Sequence, residues 1–149
     1  KEIETIVLRP CNIIGPQIKN SITQFLTSPL SPIPIDYNPM FQFIHEFDMA
    51  NILIKTMLNV STGIYNVAPD DTISIREARR IIGQKSIPVP IMALEPLAKV
   101  FKKTWKFPDY LLDYLKFSCI IENKELIRHF EEPIFRFNTR EALELLKLD

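Results

Sequence analysis

The sequence predicts an α/β protein, and three observations support this fold class. Segments rich in β-branched residues indicate strands, and they alternate with segments whose apolar residues recur every three or four positions, as in helices. The 149 residues are 46% hydrophobic, and a chain of this length buries roughly 68–70% of its unfolded surface around one core. We therefore expect one helix-rich unit with a few short strands.

The first half of the chain begins with a predicted buried strand. Ile3–Leu8 is rich in β-branched residues and has no polar face wide enough to be solvated, which favours a strand covered on both sides in a parallel sheet. Gln17–Thr27 has apolar residues at helical spacing. The proline-rich segment Ser28–Pro39 is predicted to be irregular. Phe41–His45 alternates well enough for a short strand.

The middle of the chain carries clear helix start signals. Asp48 precedes an apolar helical face, so we expect it to be the N-cap of that helix. A strand is predicted over Gly63–Val67. Ser74 and Glu77 have the spacing of a capping box, and the helix that they open is expected to end near Gly83.

The remainder is predicted to be mainly helical. Ile87–Pro90 is expected to be extended, because a proline biases the residue before it away from helix. Amphipathic or apolar patterns then predict helices over Ile91–Lys106, Pro108–Phe117 and Asn123–Phe130, and a last helix that begins at Asn138. The first of these has a basic face formed by Lys99, Lys102, Lys103 and Lys106.

Composition and charge exclude several classes of function. Eighteen basic and eighteen acidic residues give a formal net charge of zero, so no overall field attracts nucleic acid or an anionic membrane. Cys11 and Cys119 are too far apart for a zinc motif or a disulfide framework, and His45 and His129 add no ligand spacing. We expect no metal site, no nucleic-acid partner and a cytoplasmic location.

Three segments then resemble a known family in order and spacing. They are Leu8–Pro16 (Leu-Arg-Pro-Cys-Asn-Ile-Ile-Gly-Pro), Phe41–Ala50 with its Phe-Ile-His and Asp-x-Ala elements, and Thr62–Ala68 followed by Ser74–Glu77. Because of these three segments, the chain resembles the C-terminal half of the extended short-chain dehydrogenases/reductases. These are NAD-dependent epimerases and dehydratases that act mostly on nucleotide sugars.

The resemblance implies the C-terminal part of a Rossmann-like fold. Residues 1–149 would be the substrate-binding portion, and the dinucleotide-binding domain would precede it. Three scattered glycines cannot form the family's glycine-rich phosphate loop, and no tyrosine is followed by lysine four positions on. We therefore expect no catalytic residue in this chain and no hydride transfer by it alone, with NAD or NADP bound by the intact enzyme.

The resemblance also implies site residues. The backbone of Pro10 and Cys11 would lie beside the nicotinamide, and the Asn12 amide would hydrogen-bond the substrate, at the strand end where open α/β sheets bind ligands. Asn12 closing a turn ahead of Gly15 remains the structural alternative. The other substrate-binding candidates are Gln17, Asn20 and Gln42.

One departure from the family bears on the substrate. Phe41-Gln42 stands where the family's nucleotide-sugar enzymes carry a diphosphate-binding arginine, and a ring and a neutral amide cannot replace a guanidinium there. The expected substrate is a sugar or a nucleotide-sugar-like molecule. The other expected partners are the chain's own N-terminal domain and, as an open alternative, a second copy in a homodimer.

A second class of function stays open. The chain could be a non-catalytic binding or interaction module that associates with a membrane surface through the basic helix face Lys99–Lys106. Lysine stems commonly cover apolar neighbours on solvated helices. We therefore favour the alternative that these four lysines form an ordinary solvent-exposed helix face.

Overall fold

The computed structural model describes residues 3–97 and 110–147. The strands in these ranges are short and more numerous than the three that the sequence predicts. They are β1 (Ile6–Pro10), β2 (Asn12–Ile14), β3 (Leu30–Pro34), β4 (Met40–Phe41), β5 (Phe43–His45), β6 (Gly63–Val67), β7 (Ile73–Ser74) and β8 (Lys85–Val89).

The helices follow the predicted order with shifted ends. Residues 91–97 are helical. The other helices are α1 (Ser21–Thr27), α2 (Glu46–Asn59), α3 (Ile75–Ile82), α4 (Tyr110–Lys116), α5 (Lys124–Ile127) and α6 (Thr139–Lys147).

The capping predicted for α3 is confirmed in detail. Ser74 Oγ accepts the Glu77 backbone N–H at 3.2 Å. At the other end Gly83 has a φ of 84°, and its N–H donates to carbonyls of the last turn. This left-handed conformation suits glycine and ends the helix where the sequence predicts.

The segment from Ile6 to Ile14 changes its strand partner part-way. β1 pairs in parallel with β6, and β2 pairs in parallel with β5. Cys11 lies between the two strands, and its N–H donates to Val67 O at 2.9 Å. Since the partner strands diverge beyond this residue, a crevice opens at the carboxyl end of β1.

The proline-rich segment Ser28–Pro39 contains a strand, so the prediction that it is irregular is wrong. β3 pairs in parallel with β8, with Pro34 opposite Val89. Lys85 N donates to Pro29 O and Ile35 N donates to Val89 O at the two ends of the ladder. This register places the nitrogens of Pro32, Pro34 and Pro88 on the sides that face away from the partner strand. Proline is tolerated at such positions because no ladder hydrogen bond is lost.

The core consists of two clusters of buried side chains. One is built around β3, β4, α1, α3 and α6, and includes Leu26, Phe41 and Leu143. The other joins α2, β5 and β6 through Ile52, Ile44 and Val67. The crevice at Cys11 lies where these two packed regions meet, since Cys11 packs against the second cluster.

Two sequence predictions about burial and capping are wrong. Val7 of β1 is 41% exposed, because no described element covers the outer face of that strand. Asp48 is not the N-cap of α2, because His45 holds that position and its Nδ1 accepts the Phe47 N–H at 3.2 Å. Asp48 is buried, and its Oδ2 instead accepts the N–H groups of Arg136 and Phe137 at 3.0 and 2.9 Å.

The basic face Lys99–Lys106 lies outside the described residues. Among the helices that are described, none combines the length and apolarity that crossing a bilayer requires.

A buried guanidinium joins α1, α3 and β8. Arg79 of α3 is fully buried and donates to four carbonyls and one hydroxyl. Burial lowers the pKa of the guanidinium to about 10, which leaves it charged at neutral pH. Its acceptors are Phe25 O, Leu26 O, Ser28 O, Lys85 O and Ser86 Oγ.

Replacing Arg79 tests this junction. Arg79→Met retains an apolar stem but leaves buried carbonyls without a donor, so the free energy of unfolding should fall by more than about 3 kcal/mol. Urea denaturation measures the change. The matched control is Arg80→Met, because the Arg80 side chain is 82% exposed and should shift stability by less than about 0.5 kcal/mol. Equal midpoints for the two variants would contradict the assignment.

Candidate functional site

A cavity of about 260 Å³ occupies the crevice at the end of β1. Its floor is the β1–β2 connection, one side is the start of α1, and the other side is α4. The lining residues are Cys11, Asn12, Ile13, Asn20, Ser21, Ile22, Tyr110, Leu111 and Tyr114. The volume lies close to the lower end of the roughly 300–1,000 Å³ typical of small-molecule sites.

Asn12 presents a polar amide to this cavity. It is half-buried at the first position of β2. Its Nδ2 donates to Gln42 O over 3.4 Å, which is long for a hydrogen bond of this type. An amide that is positioned but weakly engaged can exchange this contact for one with a bound molecule.

Cys11 contributes a neutral thiol to the floor. Burial raises the pKa of the Cys11 thiol from its ordinary value of 9.0 to about 12. Because the thiolate is the nucleophilic form, this cysteine is expected to react only slowly at neutral pH. Its role in the cavity is therefore one of shape and backbone position.

Asn20 lines the cavity, but both ends of its amide form hydrogen bonds within the fold. Its Oδ1 caps α1 by accepting the Thr23 N–H at 2.8 Å, and its Nδ2 donates to Ile13 O at 2.8 Å. The side chain thereby fixes the start of α1 against β2. The predicted helix start at Gln17 is wrong, because this cap begins the helix at Ser21.

The other candidate residues lie outside the lining of the cavity. Pro10 and Gln17 are exposed. Gln42 is buried, and both ends of its amide are engaged: Nε2 donates to Pro69 O at 2.7 Å, and Oε1 accepts the Ile121 N–H at 2.8 Å. The structure thus brings Cys11, Asn12 and Asn20 together in the cavity, and it gives Gln42 a role in holding loops.

Sequence reasoning missed the two tyrosines of α4. Tyr110 and Tyr114 lie one helical turn apart and both line the cavity, with ring centroids 6.3 Å apart at 68°. Tyr110 OH donates to Ser21 Oγ across the cavity mouth. Their i, i+4 spacing is visible in the sequence, but it is equally typical of two tyrosines packed into a core.

A second and larger cavity of about 620 Å³ adjoins the start of α6. Two of its carboxylates bind backbone groups at the start of α6: Asp71 accepts the Thr139 N–H at 2.9 Å, and Glu141 accepts the Asn138 N–H at 2.9 Å. Residues 3–97 and 110–147 contain no group of three histidines, cysteines or carboxylates that could hold a metal ion.

Comparison with known proteins relates the chain to others by sequence and by fold. No family model matches the chain. Uncharacterized proteins of Mycobacterium tuberculosis and Mycobacterium bovis are each 28% identical to it over 101 residues, which cover 66% of this chain and 27% of theirs. The chain therefore matches about a quarter of the length of these relatives.

Solved structures match almost all of the chain. The UDP-glucose 4-epimerase of Thermotoga maritima, solved with UDP-glucose, has a TM-score of 0.64 at 13% identity and is covered over 45% of its length by 98% of this chain. WbmG of Bordetella bronchiseptica, solved with NAD and UDP, has a TM-score of 0.67 at 13% identity. The match covers 99% of this chain and 43% of WbmG. The chain has the fold of part of these enzymes.

The fold that the chain shares with these enzymes is the mixed α/β architecture with short parallel strand pairs described above. RMD of Pseudomonas aeruginosa, solved with NADPH, gives the same result, with a TM-score of 0.62 at 14% identity, over 96% of this chain and 46% of RMD. More than half of each of these enzymes has no counterpart in the 149 residues. The Rossmann-like fold predicted from the three sequence segments is thus confirmed as a portion of that fold.

The environment of Cys11 predicts slow alkylation. With its pKa near 12, the native protein should react with iodoacetamide at Cys11 about 1,000-fold more slowly at pH 8 than a cysteine of ordinary pKa, and the rate should rise about tenfold per pH unit. Mass spectrometry of the labelled peptide measures the rate. Urea-unfolded protein is the control, and labelling at the same rate before and after unfolding would contradict the burial.

The assignment of Gln42 is tested with a matched pair of glutamines. Gln42→Leu removes hydrogen bonds to Pro69 O and Ile121 N, and the free energy of unfolding should fall by about 2–4 kcal/mol, since two buried groups lose partners. Gln17→Leu, at an exposed position, should change it by less than about 0.5 kcal/mol. A Gln42→Leu protein with unchanged stability in urea would show that the side chain does not hold these loops.

Proposed function

We propose that this chain is the substrate-binding C-terminal portion of an NAD(P)-dependent epimerase, dehydratase or reductase that acts on a sugar or a nucleotide-sugar-like substrate. The observation that carries the proposal is the cavity at the partner switch of the Ile6–Ile14 segment. It joins Cys11, Asn12 and Asn20, which the sequence resemblance implicates independently, at the carboxyl ends of parallel strands.

The proposal divides the chemistry between two parts of the intact protein. The dinucleotide-binding domain and the proton-transfer groups precede this chain, and the C-terminal portion shapes and orients the substrate. The backbone at Pro10 and Cys11 lies beside the nicotinamide, and the Asn12 amide bonds the substrate. NAD or NADP supplies the hydride chemistry when it is bound.

The decisive experiment uses the intact protein that contains these residues. We expect it to bind NADH or NADPH, which enhanced fluorescence of the dinucleotide would detect. The dissociation constant should lie in the micromolar range, which corresponds to about 8 kcal/mol of binding free energy. An intact protein that binds neither dinucleotide, while folded by circular dichroism, would disprove the proposal.

Asn12→Ala tests the substrate contact within the same protein. Loss of one hydrogen bond should weaken binding of the better ligand among glucose and UDP-glucose about tenfold. The dinucleotide dissociation constant should change less than about twofold, because Asn12 faces the substrate. Asn59→Ala is the matched control, since Asn59 is exposed on α2 and its Nδ2 donates to Lys55 O within the same helix. Equal ligand affinities in the two variants would remove Asn12 from the site.

A further inference from the structure

The described lining of the cavity at Cys11 is uncharged. Its side chains are two amides, a serine hydroxyl, two tyrosine phenols, a thiol and three aliphatic groups. Burial raises the pKa values of both the Cys11 thiol and the Tyr114 hydroxyl, which keeps both groups neutral. Arg9 and Lys19 are exposed and do not line the cavity, and Lys116, two positions after Tyr114, is paired with Glu95 and does not line it either. A diphosphate placed here would meet no cation from the described lining, and phosphate recognition ordinarily uses one.

The two tyrosines of α4 form a preorganised aromatic wall. The Tyr114 ring is stacked on Phe41, with centroids 6.0 Å apart and planes 2° apart, and Phe41 is fully buried. Tyr110 is held from the other side by its hydroxyl bond to Ser21 at the start of α1. Both rings are thus fixed before any ligand arrives, which lowers the entropic cost of binding.

The wall and the floor offer complementary contacts. Aromatic faces pack against the apolar C–H groups of a ring, while the Tyr114 hydroxyl and the Asn12 amide can donate to or accept from neutral hydroxyl groups. The cavity of about 260 Å³ has room for a single ring. These contacts match an uncharged, hydroxylated ring.

We propose that Tyr110 and Tyr114 determine substrate specificity, and that the cavity selects an uncharged sugar ring that carries no nucleoside diphosphate. This inference rests on the proposed function, because it assigns the substrate class of the same site. It separates this chain from the Thermotoga enzyme, whose structure holds UDP-glucose.

Binding to the intact protein tests the substrate class. The probes are the methyl glycosides of glucose, galactose and mannose, together with UDP-glucose and UDP, followed by saturation-transfer NMR and calorimetry. At least one glycoside should bind, UDP-glucose should bind no more than about threefold more tightly than its glycoside, and UDP alone should give no heat up to about 10 mM. UDP binding tenfold more tightly than every glycoside, or no glycoside binding at all, would overturn the proposal.

Variants of the wall test the two tyrosines. Tyr110→Leu and Tyr114→Leu keep apolar bulk but remove the ring face and the hydroxyl, so each should weaken glycoside binding about tenfold. Tyr110 is 55% exposed, so its variant should fold even if the Tyr114 variant does not. The control is Tyr37→Phe, which loses a hydroxyl contact to Ser118, since neither residue lines the cavity. Glycoside affinity in Tyr110→Leu equal to that of the control would overturn the assignment.

These results are separable from the test of the proposed function. Dinucleotide binding by the intact protein depends on the domain that precedes this chain, and the tyrosine variants should leave it within about twofold of the parent protein. A protein that binds NADH or NADPH but prefers UDP to the glycosides would retain the proposed function and lose only the inference about substrate class.

Discussion

The change of strand partner at Cys11 is the constraint on which the site depends. The backbone from Ile6 to Ile14 runs almost continuously, yet its hydrogen bonds go first to β6 and then to β5. Two parallel neighbours that diverge from one segment must leave a gap at the point of divergence. Asn12 and Ile13, which directly follow this point, line the gap, although nothing about the residue type of Asn12 requires it to do so.

Buried side chains that bind backbone groups hold distant segments of the fold together. Arg79 joins α1 to β8, Asp48 holds the backbone at residues 136–137, and Gln42 links the loops at Pro69 and Ile121. Each joins segments that are distant in sequence and gives buried polar groups their partners. The position of α1, and with it one wall of the cavity, follows from Arg79 and from the Asn20 cap.

The differences between the predicted and observed site have a common physical cause. Gln42 and Asn20 have the polar chemistry expected of ligand contacts, but the same amides are good partners for buried backbone groups, and the fold uses them in that way. Tyr110 and Tyr114 show the opposite case. Their spacing predicts one helix face, and only the packing of α4 against Phe41 and Ser21 makes that face a wall of the cavity.

The sequence by itself determined much of the local structure: the N-cap at Ser74, the left-handed turn at Gly83, the strand Gly63–Val67 and the order of the helices. These depend on interactions between residues close in the chain, so their patterns are legible without a structure. Tertiary structure decided that the proline-containing segment Leu30–Pro34 forms strand β3, that His45 caps α2, and which residues line the cavity. Each of these depends on which distant segment supplies a hydrogen-bond partner or a packing surface, and no local pattern specifies that choice.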